Sequence, residues 1–361
     1  MSTHHLGQPV ASPHAHGGNS VGRTMFRVQL ALLPATLYGF WLYGWPSFFM
    51  WLLTVGSCIG FEALSLKFAG GGRIRQGLLD GSAALTGWLL AMTLPPWAPW
   101  WVAVVGAFIA IVIGKQVFGG VGQNVFNPAM VARVALLVSF PLPLTLWVLP
   151  LPMNGAPAPD FVASMHIFLT SQPVPDAMTS ATLLGHAKTE LSRGVDLGHA
   201  LADSGSLLSW LGMRPGSFGE SASLLILAGG IFLLVSRIIT WHAPLGVLLG
   251  VAIPALIGHA VDPGRFLSAE SHLMSGALML GAFFIATDYV TSPNTSLGQL
   301  IFGLGVGLLT WIIRTVGAYP EGMAFAILLM NALTPVIDRF VKPRILGRDR
   351  KGRPLDIPEN A

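Results

Sequence analysis

Charge is what this chain has least of: only 10% of its 361 residues are Asp, Glu, Lys or Arg, against 53% that are hydrophobic. A balance this apolar excludes an ordinary soluble domain. Cysteine is nearly absent. The single thiol, Cys58, lies in an apolar stretch, so the chain alone builds neither a disulfide nor a four-thiolate iron–sulfur site. Residues 1–25 lack an apolar h-region and are instead polar and rich in His and Gly, so no cleavable signal peptide is expected and the first apolar run acts as the insertion signal. His4, His5, His14 and His16 have no carboxylate or cysteine partners in that tail, and no metal site is assigned to them. The formal charge of +4 is carried by the ends of the apolar runs and by the C-terminal tail, which reads as membrane topology and not as nucleic-acid binding.

What is abundant is long hydrophobic runs. A spanning helix needs about 20 mainly apolar residues. Ten such runs occur, near 26–44, 47–66, 77–95, 98–117, 127–149, 221–239, 242–260, 272–289, 297–316 and 321–341. The expected fold is therefore an all-α polytopic membrane protein of about ten transmembrane helices. Breaks such as Leu94-Pro95-Pro96 and Ile253-Pro254 are tolerated in bundles where neighbours satisfy the freed backbone groups. Trp97, Trp100 and Trp101 at a span boundary read as an aromatic interface belt.

Basic residues gather at one side of these spans: Arg23, Arg27, Lys67, Arg73, Arg75, Lys115, Arg237 and the tail from Arg339 to Arg353. By the positive-inside rule both termini are cytoplasmic. The chain then divides into a cytoplasmic N-terminal tail (1–25), a first five-helix block (26–149), a loop on the opposite face (150–220), a second five-helix block (221–341) and a basic cytoplasmic tail (342–361). Gly87 to Thr93 in the third span and Gly281 to Thr287 in the eighth share a Gly-to-Thr spacing, and five spans per half make the halves inverted repeats. Such repeats place ligand or ion paths at their interface.

Loops as long as 150–220 are more often functional than filler. Within it, Asp176-Ala177-Met178-Thr179-Ser180-Ala181-Thr182 resembles the flavin-attachment signature Asp-x-x-[Ser/Thr]-[Gly/Ser/Ala]-Ala-[Ser/Thr], whose last residue is esterified to the phosphate of FMN. The informative positions are Asp176, Thr179, Ser180, Ala181 and the acceptor Thr182. That chemistry needs a hydroxyl as acceptor, small neighbours that admit a transferase, and polar groups that orient the donor.

The Gly119 to Met130 segment lies between spans and follows no strand, so it reads as a re-entrant or capping segment with Asn127 near a helix start and Pro128 at the first helical position. Asn124 and Asn127 also carry amides suited to a flavin's pyrimidine edge. Asp288, Glu62 and Asp80 are carboxylates at or near membrane depth, candidates for an ion path, with an ordinary interfacial position as the other reading. Arg133 lies inside the fifth span, where its long stem permits snorkelling. No catalytic residue and no metal ligand is singled out.

Taken in order, Leu94-Pro95-Pro96-Trp97-Ala98-Pro99-Trp100-Trp101, Gly119 through Ala129, the signature ending in Thr182, Gly281 through Asp288 and Tyr319 through Ala326 resemble the D-type subunits of the Rnf electron-transport complexes, which are related to the B-type subunits of the sodium-translocating NADH:quinone reductases. The resemblance runs from about Arg27 to Gly347. Departures are Val125 and Tyr289 where the family usually has proline, and Ala177 where glycine is frequent. The resemblance implies a component of an ion-translocating oxidoreductase of a bacterial inner membrane, coupling electron transfer between ferredoxin and NAD+ to Na+ or H+ movement. It also implies FMN on Thr182, with a noncovalent riboflavin in some relatives. Iron–sulfur and flavin subunits, a maturing flavin transferase and the lipid bilayer would be its partners. A quinone-reducing role and a channel or secondary transporter are the alternatives.

Overall fold

The computed structural model describes residues 20–70, 74–153, 155, 158–170, 179–197, 212–343 and 353. Helices dominate it. In the first half, α1 (Val21–Tyr43), α2 (Trp45–Phe68), α3 (Ile74–Leu79), α4 (Ser82–Thr93) and α5 (Trp100–Phe108) are followed by a π-helical stretch Ile109–Ile113, α6 (Pro128–Ser139) and α7 (Pro141–Thr145). The connecting loop holds α8 (Phe161–Thr170) and α9 (Leu183–Ser192). The second half holds α10 (Phe218–Ser221), α11 (Ser223–Val235), α12 (His242–Val261), α13 (Ala269–Met274), a π-helical stretch Gly281–Ile285, α14 (Ser296–Thr315) and α15 (Met323–Phe340).

An apolar helical element stands at each of the ten expected places, and the all-α polytopic reading holds. Five of these elements are single helical runs long and apolar enough to cross a bilayer: Trp45–Phe68, Trp100–Phe118, His242–Val261, Ser296–Thr315 and Met323–Phe340. Others are shorter than the sequence suggests. The 12 residues of α4 rise about 18 Å, well short of a hydrocarbon core of about 30 Å. Local causes are visible. Gly81, at φ 74°, separates α3 from α4, and Gly276, at φ 66°, interrupts the eighth run after α13. A side chain at 276 would overlap the Glu321 carboxylate, so this break requires glycine on both counts. Backbone freed by the breaks is covered by protein: Leu94, Ala98, Met274 and Ser275 are all buried.

Glycine also sets the closest helix pair. A Cβ on Gly246 would lie 2.7 Å from the Leu300 carbonyl oxygen, and one on Gly250 would lie 2.5 Å from that of Leu304, so α12 and α14 touch backbone to backbone. The tryptophan run departs from a simple belt. Trp97 is buried and its Nε1 donates to the Tyr43 carbonyl at 2.9 Å, tying the end of α4 to the end of α1, whereas Trp100 remains exposed. Among the described residues, strand pairing is confined to two residues on each side: β1 (Trp147–Val148) lies antiparallel to β2 (Thr179–Ser180) in the connecting loop. The amides of Leu151 and Met153 donate to the carbonyls of Leu42 and Trp41, which fastens that loop to the top of α1.

Candidate functional site

Two sites emerge, one at the end of the bundle that bears the loop and one at the opposite end. At the first, Thr182 is the N-cap of α9: its backbone is extended and its Oγ accepts from the Gly185 amide at 3.1 Å. A Cβ at position 185 would stand 3.2 Å from that oxygen, so glycine keeps the hydroxyl uncrowded on the helix side. Ala181 and His186 beside it are exposed. A phosphate esterified here would sit at the amide end of a ten-residue helix, where unpaired N–H groups and the helix dipole favour negative charge. Of the other signature residues, Thr179 and Ser180 form β2 and are held in register by Val148 and Trp147, while Asp176 lies outside the described residues.

The helix that carries Thr182 is fixed at both ends and in the middle. Its approach is pinned by β1, and beyond it the Leu197 amide donates to the Gly264 carbonyl at 3.0 Å. Between them the Lys188 ammonium donates to the carbonyls of Ile313 (3.2 Å), Gly317 (2.6 Å) and Tyr319, closing the C-terminus of α14. Burial lowers the Lys188 pKa, and the nearby Glu321 carboxylate opposes that shift.

Below this clamp lies a polar knot. Arg314 donates to both carboxylate oxygens of Glu321, at 2.8 and 3.4 Å, and to the carbonyls of His272 (2.7 Å) and Ser275 (2.8 Å). Glu321 in turn accepts from the amides of Ala277, Gly322 and Met323, so one carboxylate caps the start of α15 and closes the break at Gly276. Nearby, burial lifts the Glu220 carboxyl from its usual range to about 7, with the field of Glu321 adding to the rise. Burial likewise lowers the Arg214 pKa. Arg133 does not simply snorkel: its Nη1 is buried without a hydrogen-bond partner among the described residues.

At the opposite end, a cavity of about 100 Å³ gathers residues from both halves of the chain. Asn124, Asn127 and Asp288 line it together with Ser82 and Lys115. Asn127 caps α6 as expected, its Oδ1 accepting from the Met130 amide at 3.2 Å, while its Nδ2 donates to Asp288 Oδ2 at 3.3 Å. Its own amide donates to Asn331 Oδ1 at 3.1 Å. Asn124 instead turns to the Phe126 carbonyl. Asp288 also accepts from Thr291 Oγ1 and the Val290 amide, so the donors that hold its carboxylate are neutral.

Glu62 and Asp80 join this cavity through one cation. The Lys115 ammonium donates to both Glu62 oxygens, at 2.9 and 2.8 Å, and to Ser82 Oγ at 2.7 Å; Ser82 Oγ donates onward to Asp80 Oδ1 at 2.5 Å. Both members of the ion pair are buried, 3% and 2% exposed. Lys115 is thus no surface charge marking topology, as its place after a span suggests, but an internal counter-ion for Glu62. Nothing local in the sequence announces the pair, because its members are 53 residues apart. Among the described residues no cluster of three or more metal-type ligands occurs.

Known proteins resemble this chain over nearly its whole length. The profile of the NQR2, RnfD, RnfE family matches residues 9–347. The chain belongs to that family. It is 52% identical over 338 residues to the D component of the ion-translocating oxidoreductase complex of Stutzerimonas stutzeri, covering 93% of this chain and 95% of that protein. The component of the same name from Halorhodospira halophila is 46% identical over 351 residues, with 97% and 98% covered, and that of Rhodobacter capsulatus is 50% identical over 307 residues, with 84% and 85% covered. Family membership takes in both helical blocks and the loop between them, so both sites fall within the matched length.

Proposed function

We propose that this chain is the membrane subunit of an ion-translocating electron-transport complex and that it carries FMN on Thr182 through a phosphodiester. The observation that carries the flavin reading is the placement of Thr182: a threonine hydroxyl at a helix N-cap, glycine behind it and the exposed Ala181 beside it, at the end of the attachment signature. Bound there, FMN supplies exchange of one or two electrons, and the protein's share is position and tuning. Thr182 provides the ester oxygen, the first turn of α9 faces the phosphate, and the Lys188 clamp holds that helix at a fixed place on the bundle.

In this reading the neighbouring subunits bring the iron–sulfur and further flavin carriers, and a separate transferase attaches the FMN. Ferredoxin and NAD+ are the terminal partners, Na+ or H+ is the coupled ion, and the chain sits in a bacterial inner membrane with both termini cytoplasmic. Moving one charge across the membrane is worth about 2.3 kcal/mol per 100 mV. The carboxylates at the far end, half-buried Asp288 and buried Glu62 with its counter-ion Lys115 and the linked Asp80, are the groups we assign to that path. The amides of Asn124 and Asn127 suit a flavin's pyrimidine edge, yet a cavity of about 100 Å³ is below the roughly 300–1,000 Å³ usual for ligand pockets, so a noncovalent riboflavin would need these walls to part.

The test is in-gel flavin fluorescence of the chain co-expressed with a flavin transferase, followed by mass mapping of the loop peptide. Thr182→Val removes one hydroxyl and no core contact; it is expected to abolish the fluorescent band while the bundle still folds. Covalent flavin retained in that variant would sink the acceptor assignment.

A further inference from the structure

A second, larger cavity of about 730 Å³ lies beside the helix that carries Thr182, within the usual size range of ligand sites. One of its walls is a single face of α9. Leu184, Ala187, Lys188 and Leu191 all line it, at the i, i+3, i+4 and i+7 spacing of one helix face. At about 1.5 Å per residue that face begins about 3 Å along the axis from Thr182 and runs about 10 Å further. Thr182 does not itself line the cavity, so an FMN tethered at the N-cap reaches it through its ribityl chain, around the first turn of α9.

The opposite wall comes from the turn after α12 and from α13 and the end of α14. Phe266 supplies a flat apolar surface, backed by the Trp311 ring at 6.2 Å and 16°. His272 also lines the cavity. It is fully buried, and neither ring nitrogen has a hydrogen-bond partner among the described residues. A buried polar group left in this state costs free energy, so its presence calls for a partner. Two cations that line the cavity are already committed: Lys188 donates to three carbonyls, and Arg314 to Glu321 and two carbonyls. Arg265 stands at the rim.

We propose that this cavity is the docking slot for the isoalloxazine ring carried on Thr182, with the ring laid between the α9 face and Phe266 and its polar pyrimidine edge turned to His272. The proposal rests on Thr182 being the acceptor of FMN. A tricyclic ring with an apolar benzenoid end and a pyrimidine end bearing one N–H and two carbonyls matches a slot that is apolar along Leu184 and Leu191 and offers an unmet imidazole. Held there, the ring is shielded from water and fixed at one distance from any partner carrier.

The experiment uses the full-length chain with its flavin attached, purified in detergent, and each preparation is first mass-mapped for FMN on the Thr182 peptide. The quantities measured are collisional quenching of the bound flavin by iodide, its absorption maximum and its midpoint potential. The wild type is expected to be quenched severalfold less than free FMN. Ala187→Phe, which fills the slot from α9, should raise quenching toward the free value with attachment intact. His272→Leu, which removes two ring nitrogens that no described residue of the protein engages, should shift the potential and the absorption maximum while the protein stays folded. Flavin on Thr182 that is quenched as free FMN, or that responds to neither variant, overturns the slot and leaves the acceptor standing. Absence of FMN mass on the wild-type peptide removes the acceptor and the slot together.

Discussion

Replacing Lys115 by methionine tests whether the pair at the far end is a coupled unit. The methionine keeps most of the apolar stem and removes the ammonium, whose three donors are all engaged, two by Glu62 and one by Ser82. Glu62, 2% exposed, is then left as a buried carboxylate without its cation. Breaking a buried pair from one side costs about 3–5 kcal/mol, whereas replacing both partners by neutral groups of similar size is often close to neutral. The double variant Lys115→Met with Glu62→Gln should therefore recover most of the loss, giving a coupling of about 2–4 kcal/mol in a double-mutant cycle. The assay is thermal unfolding of the purified protein in detergent, where the single variant should fall by several degrees and the double should return toward wild type. If the double variant falls by the sum of the two singles, Lys115 and Glu62 are energetically independent and their contact is incidental.

Other perturbations follow from the same structure. Glu220 has its pKa raised to about 7 by burial, so its stabilising contribution is fully present below about pH 4.5 and is lost as pH rises through 7; it is worth at most about 3 kcal/mol. Glu220→Gln should flatten that slope, so that the melting temperatures of variant and wild type agree at about pH 5 and the variant is the higher at about pH 8. Gly250→Leu pushes a side chain against the Leu304 carbonyl and should cost at least about 1–3 kcal/mol, seen as lower yield of folded protein and a lower melting temperature. Asn127→Leu removes the α6 cap and the donor to Asp288; a loss of about 1–2 kcal/mol is expected in thermal unfolding, and no change in melting would show that the cap is dispensable.

Much of this molecule is legible where physics is local. Asn127-Pro128 announces a helix start through a cap and a preset φ, and both appear in the fold. The ten apolar runs appear because burial in lipid is a property of each run by itself. Where partners are distant, local reading fails. Lys115 looks like a topological charge until Glu62 is folded against it, and Trp97 looks like an interface residue until its indole finds the Tyr43 carbonyl. Helix lengths fail for a related reason: α4 and the eighth run are cut by Gly81 and Gly276, whose left-handed backbone depends on what packs around them. For Thr182, the signature identifies the residue, but only the fold reveals a helix N-cap with glycine behind the hydroxyl.

The Lys188 clamp gives the loop a mechanical address. The 20 residues of α14 form a rod about 30 Å long, stiffened by backbone contact with α12, and its end is gripped by an ammonium that belongs to the helix of Thr182. The start of the rod lies next to the turn that holds Asp288. Any tilt of this rod would carry the Thr182 helix with it, so the clamp joins the loop to the far end of the bundle through one rigid element.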